Sequence, residues 1–280
     1  MTTLSHFPRR LVSVFTVLLC AATVASAQSR ETFAPRVGQP GKDVVWVPTP
    51  PELVERMVTL AQVTPQDFVI DLGSGDGRNV IAAAGRGARA LGVEYNPEMV
   101  KLATRNAVEA GVAGRATFVE GDMYQADISQ ANVLALFLLP HNMLQLRQKF
   151  FDLQPGSRIV SNTFGIEGWT EDESVTIDGT CGDWCTALLW IVPAKVAGTW
   201  RMPQGTLTLT QDFQTISGTL GSTPIRDGRL RGEEITFTVG TALFNGRVKG
   251  NTMSGRASGG GIGGVFSGTR QSSIADATSE

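Results

Sequence analysis

Between residues 51 and 193, short apolar runs alternate with stretches of helical periodicity. The runs cover 67–71, 90–94, 116–120, 133–138 and 158–162, and a last one at 186–192 follows an acidic loop. Each is continuously apolar instead of alternating, the pattern of strands covered by helices on both faces. Helical spacing covers 52–61, 78–84, 97–110 and 142–153. Pro97 suits a first helical turn, and Pro155-Gly156 gives a stop. Strands alternating with helices predict an α/β domain built on a mostly parallel sheet.

After Pro193 the pattern changes. Gly and Thr become frequent, helix formers thin out, and a period of two appears at 206–210, 234–239 and 243–248. Turn signals, Asp227-Gly228, Asn245-Gly246 and Lys249-Gly250-Asn251, fall between or inside these runs. A small all-β antiparallel barrel or sandwich is predicted over 194–270, with 259–264 flexible and a disordered tail at 271–280. Gly198-Thr199-Trp200 is similar to a segment of small ligand-binding barrels. The role of this part stays open between recruiting a substrate, contacting an envelope and covering the sheet edge.

Residues 1–27 have the layout of an export signal: Arg9-Arg10, an apolar run from Leu11 to about Ala25, and Ala25-Ser26-Ala27 before Gln28. The arginine pair fits an ordinary basic start or, loosely, a twin-arginine signal. The expected product is periplasmic or secreted, and a cytoplasmic role before export stays open. Residues 28–50 then form a lid or linker, in which Trp46-Val47-Pro48-Thr49-Pro50-Pro51 either folds over a ligand or acts as a rigid connector. No later segment reaches the ~18 consecutive apolar residues of a membrane span. A formal net charge of -2, with Lys and Arg scattered, argues against a nucleic-acid partner. Cys181 and Cys185 suit a local disulfide, with free thiols as the main alternative. A metal site is disfavoured because His141 is the only histidine after residue 27.

The chemistry concentrates in Asp71-Leu72-Gly73-Ser74-Gly75-Asp76-Gly77-Arg78, where an apolar strand runs into a glycine turn that opens a helix. Such a turn brings backbone close to a ligand. A dinucleotide fingerprint places glycines first, third and sixth; here they fall first, third and fifth, with Arg78 sixth. No Gly-x-x-x-x-Gly-Lys-Ser/Thr phosphate loop is present. Glu94 and Asp122 stand at the ends of the next two strands, and in an open α/β sheet the ligand crevice lies beyond those ends. Three carboxylates around one crevice suit a ligand carrying an ammonium, a ribose diol and an exocyclic amine, and repel pyrophosphate.

Residues 68–80, 92–97 and 120–123 resemble the successive motifs of class I S-adenosylmethionine-dependent methyltransferases, and within them the non-SET protein-lysine methyltransferases. The resemblance covers about 46–192. It implies a Rossmann-like seven-stranded sheet, with 186–192 as its antiparallel strand, and S-adenosyl-L-methionine as cofactor. By the same resemblance Asp71 would orient the methionine ammonium through the loop, Gly73, Gly75 and Gly77 would pass beneath the cofactor, and Ser74, Asp76 and Asn96 would belong to the same cofactor site. Glu94 would take the ribose hydroxyls, and Asp122 and Met123 would border the adenine. The segment after the fourth strand, Leu139, Pro140 and Asn142, would face the substrate. His141 would either take a proton from the acceptor or face water at a helix start. The implied activity is methyl transfer to a protein lysine or a small molecule. An exported binding or scaffold protein without turnover is the alternative.

Overall fold

The computed structural model describes residues 1–3, 33–178 and 181–271. The segment read as an export signal, apart from its first three residues, and the expected disordered tail, apart from Gln271, lie outside the described residues. Residues 33–271 belong to a single compact unit.

That unit opens with a two-stranded ribbon, β1 (Gln39–Pro40) and β2 (Val45–Trp46). Then α1 (Pro51–Leu60), β3 (Phe68–Leu72), α2 (Arg78–Gly85), β4 (Arg89–Glu94), α3 (Pro97–Glu109) and β5 (Ala116–Glu120) follow in turn. The chain crosses to β6 (Val133–Leu136), continues through α4 (Pro140–Phe151) and β7 (Arg158–Asn162), and finishes the sheet with β8 (Glu173–Thr176) and β9 (Thr186–Ile191). The spatial order is β5-β4-β3-β6-β7-β9-β8, with β3 to β7 parallel and β9 antiparallel between β7 and β8. The seven-stranded methyltransferase-like sheet is therefore present.

Alternation along β3 shows how both sheet faces are buried. Val69 packs with Leu53, Met57, Val80 and Ala83 of α1 and α2. Ile70 and Leu72 point the other way, into a cluster with Leu134, Met143 and Phe150. Burying such side chains on each face stabilises the fold by ~1.5–3 kcal/mol apiece before entropy is counted. Order reverses between β4 and β6 on either side of β3, which opens a crevice beyond the strand ends.

Three expectations need correction. The acidic loop before residue 186 contains the edge strand β8, whose short Glu-Ser-Val-Thr sequence is mostly exposed and lacks an apolar run. The run at 133–138 stops being a strand at Leu136. Helix α4 starts at Pro140, two residues early, because proline's fixed φ and missing N–H suit a first turn.

The second half is a closed antiparallel barrel, not a sandwich. Its strands are β10 (Gly198–Met202), β11 (Gly205–Asp212), β12 (Thr215–Leu220), β13 (Thr223–Arg231), β14 (Glu234–Val239), β15 (Ala242–Lys249), β16 (Thr252–Ser258) and β17 (Gly264–Arg270). Trp200 opposite Arg270 closes the circle. The interior is packed with Trp200, Leu207, Leu230, Phe237, Phe244 and Phe266, all fully buried. Asn245-Gly246, a turn signal in the sequence, lies inside β15: a Cβ on Gly246 would sit 2.5 Å from the Ser254 carbonyl oxygen and 2.7 Å from the Phe266 ring. Asp227-Gly228 likewise lies inside β13, at a register shift.

Barrel and sheet are joined by a built contact. Phe213, at the β11–β12 turn, stacks on Trp169 at 4.9 Å and meets Phe151 edge-on at 5.3 Å. Arg229 pairs with Asp172 at 2.8 Å, Arg231 pairs with Glu173, and Gln214 donates to the Thr170 carbonyl.

Candidate active site

The glycine turn follows β3 directly. Gly73, Gly75 and Gly77 all have positive φ, at 73°, 55° and 86°. The N–H groups of Gly73 and Ser74 donate to the Val93 carbonyl, tying the turn to β4. At Gly75 a Cβ would lie 2.9 Å from Trp46 Nε1, so the turn and the overlying ribbon meet only because that side chain is absent. Gly77 differs from the expectation that it passes beneath a cofactor. It caps α2 in a left-handed conformation, and a Cβ there would strike Phe118 at 2.6 Å and Ala103 at 2.9 Å. Its smallness serves helix packing, and it does not line the crevice.

The three strand-end carboxylates converge on one crevice of about 900 Å³, its mouth included. Asp71 is buried and accepts from Asn79 Nδ2 at 3.1 Å. Burial pushes its pKa well above the ordinary carboxylate range against the Asn79 hydrogen bond, and the Glu94 and Asp76 charges push the same way. Glu94 accepts the Gly75 N–H on one oxygen and the Asn96 N–H on the other, both at 2.9 Å. A carboxylate offers about four lone-pair sites, so acceptor capacity remains on each oxygen. Asp122 accepts from Lys42 Nζ at 2.7 Å and from the Tyr124 N–H at 2.9 Å. Those two bonds, Lys42 first, hold its pKa below the usual value.

The remaining crevice residues have structural duties as well. Asp76 is ion-paired to Arg78, whose other arm donates to the Thr49 carbonyl at 2.5 Å and so pins the segment after the ribbon. Asn96 caps α3 by accepting the Glu98 N–H. Met123 is buried at the crevice wall. Ser74 lines the crevice with a buried hydroxyl that has no hydrogen-bond partner. The ribbon and residues 41–49 form the roof, with Lys42 5.0 Å above the exposed Tyr95 ring. Trp46, Val47, Pro48 and Thr49 of this segment line the crevice.

Leu139, Pro140, His141 and Asn142 are not on this crevice. Pro140 and His141 border a separate shallow depression with Leu144, Ile166 and Glu167. Asn142 is fully buried: it accepts the Leu139 N–H and donates to Tyr124 Oη at 2.7 Å, fixing the start of α4. The crevice takes Phe137 in their place. Because the apolar run extends two residues beyond the strand, the position facing the crevice falls on Phe137 and not on Leu139 and beyond. Lys42 and Asn79 also carry no signal in the sequence, since neither sits at a strand end.

A family model described as the ANTKMT methyltransferase domain matches residues 71–173. A solved RNA methyltransferase from Salinibacter ruber, in complex with S-adenosyl-L-homocysteine, is 45% identical with a TM-score of 0.50, covering 54% of this chain and 96% of that one. A protein-lysine N-methyltransferase of Saccharolobus islandicus (strain REY15A) is 42% identical over 138 residues, 48% of this chain and 86% of that protein. The chain belongs to the class I S-adenosylmethionine-dependent methyltransferases. This methyltransferase is also 35% identical over 133 residues to the adenine nucleotide translocase lysine N-methyltransferase of Mus musculus, 47% of this chain but only 57% of that relative. The cofactor fits the residues present. Gly73 and Gly75 present backbone to the crevice, Ser74 offers an unpartnered buried hydroxyl, and three carboxylates supply acceptors. Nothing in these relatives supports the scaffold alternative without turnover.

Proposed function

We propose that this methyltransferase transfers a methyl group to the ε-amino nitrogen of a lysine in a protein acceptor. The 42% identity across 86% of the archaeal protein-lysine N-methyltransferase carries the reading. Asp71, through the turn, would hold the ammonium end of the cofactor. Glu94 would take the ribose hydroxyls on its remaining lone pairs, and Asp122, sharing its oxygens with Lys42, would take the adenine amine. Gly73 and Gly75 would let the backbone pass close beneath. When bound, S-adenosylmethionine supplies a methyl group on a sulfonium sulfur. The protein's own work is to align the acceptor and keep water out, contributions that together reach several kcal/mol in well-oriented systems. Trp46 and the ribbon roof would exclude water, while Phe137 borders the acceptor side. The exposed His141 does not line this crevice, so a proton leaving the amine passes to another group or to solvent.

A second reading, methylation of RNA, has one motive: the Salinibacter ruber relative is an RNA methyltransferase. Charge favours the protein acceptor. Lys42 and Arg78, the basic residues lining the crevice, are both paired with carboxylates. The full chain should be incubated with methyl-labelled cofactor and a cell extract, then treated with protease or ribonuclease. Label released by protease and recovered on lysine is expected; label that only ribonuclease releases contradicts the reading.

A further inference from the structure

Beside the crevice stand three aromatic side chains that no strand-end rule picks out, one lining it and two packed near that one. Phe137, directly after β6, lines the crevice itself. Phe164, in the turn after β7, lies 6.1 Å from it with nearly parallel rings, at 19°. Trp184, in the loop before β9, lies 6.1 Å from Phe137 on an edge-on geometry of 64°. Antiparallel β9 brings this third ring to the others: Asn162 at the end of β7 pairs with Ala187 near the start of β9. The loop preceding β9 therefore emerges at the same sheet edge as the crevice.

Two local constraints hold these rings in place. Thr163, a β-branched residue, is forced to φ 59°, a conformation such residues rarely adopt, and its N–H donates to the Thr186 carbonyl at 2.7 Å. That kink sets the direction of Phe164. Trp184 stands inside the Cys181–Cys185 disulfide, whose Cα atoms are 5.4 Å apart, and its N–H donates to the Cys181 carbonyl. Although clamped, Trp184 remains 37% exposed, and Phe137 and Phe164 are half-buried. Large aromatic surface held rigid and left open beside a reaction crevice is a binding surface, because a purely structural ring gains most by full burial.

Charge around the rings selects the guest. From residue 159 to residue 194 the chain has six acidic residues, Glu167, Glu171, Asp172, Glu173, Asp178 and Asp183, and no Lys, Arg or His. Asp172 and Glu173 are used by Arg229 and Arg231 of the barrel, whereas Asp178, before the disulfide loop, and Asp183, inside it, are exposed. Aromatic faces attract a cation and also cover an alkyl stem. Bases stack on such faces too, but an acidic rim repels the phosphates that must accompany them.

Resting on the lysine reading of the crevice, we propose that Phe137, Phe164 and Trp184 form the acceptor channel, taking the alkyl stem of a protein lysine, with Asp178 and Asp183 drawing its ammonium to the mouth. These are binding and positioning residues, so their loss should appear in KM and not in cofactor affinity.

The test uses the full chain, methyl-labelled cofactor and a degenerate heptapeptide pool with lysine fixed at its centre. Trp184→Ala should raise KM for the pool about tenfold, the scale of a desolvated cation–π contact, with kcat and S-adenosylhomocysteine affinity each within about twofold of the parent. Trp184→Phe should recover most of the loss, which a merely structural role would not predict. Phe164→Leu gives a second route to the same KM rise. If the parent methylates the pool and both Trp184→Ala and Phe164→Leu leave KM unchanged, the channel is wrong and the lysine acceptor stands. If the parent transfers no methyl to the pool, both fall.

Discussion

A carboxyl group buried at the end of β3, with one neutral hydrogen-bond donor and two acidic neighbours, is costly in the free protein. Asp71 is in that position, and its raised pKa expresses the cost. The folded protein keeps a proton there that the unfolded chain gives up near pH 4. From about pH 4 upward, stability therefore falls as pH rises toward the raised folded value. Asp71→Asn removes this pH-dependent penalty while keeping an acceptor for Asn79. Thermal unfolding of the ligand-free variant should match the parent near pH 4 and lie a few degrees higher near pH 8, with S-adenosylhomocysteine binding weakened at least ~10-fold. A variant that is less stable at pH 8, or that binds as tightly as the parent, contradicts this role. Asp71, Glu94 and Asp122 were legible in the sequence because each stands at or just beyond the end of an apolar run, and strand ends face the crevice by topology alone. Phe137 and Asn142 were not. Their assignment turns on where one strand stops, and two residues of error exchange a crevice-lining ring for a buried cap.

At the scale of elements, the parallel strands are legible because burial on both faces demands uninterrupted apolar runs, as in Val133–Leu136. The edge strand β8 lacks that signature, since it has one strand partner and mostly exposed side chains. In the barrel, β12, β13, β15, β16 and β17 each carry an internal glycine, at 218, 228, 246, 255 and 268. Several of these positions leave no room for a Cβ against the neighbouring strand, such as Gly218, where a Cβ would run into the Thr208 carbonyl oxygen. Glycines that permit close strand approach look like turn signals in a linear reading. The docking of the β11–β12 turn is also invisible in the sequence, because Trp169, Phe151 and Phe213 come from separate regions of the chain. Phe213→Ala should lower stability by about 2 kcal/mol, below the 3–5 kcal/mol of a fully buried ring because Phe213 is only half-buried. Calorimetry should then show the single transition broadening or splitting as the barrel uncouples from the sheet. An unchanged single transition would mean that the polar contacts hold the two parts together alone.

At the scale of the whole molecule, the family match covers residues 71–173 and leaves the barrel aside. The cofactor crevice is built from the sheet and the ribbon, and the barrel contacts the sheet through Trp169, Asp172 and Glu173, in the stretch leading into the aromatic loop. Among the described residues, no helix is long and apolar enough to cross a membrane. The fold was legible as a helix-covered sheet followed by a β-rich part, because period and composition change together at Pro193. The contact between them was not, because it depends on side chains far apart in sequence. The glycine turn and the three strand-end carboxylates carry the functional account. Titration of the full chain with S-adenosylhomocysteine in a calorimeter tests it most directly. One site per chain, with at least ~10-fold weaker binding in a folded Glu94→Ala variant, is the predicted result. No binding by cooperatively folded protein, or equal affinity in the variant, would contradict it.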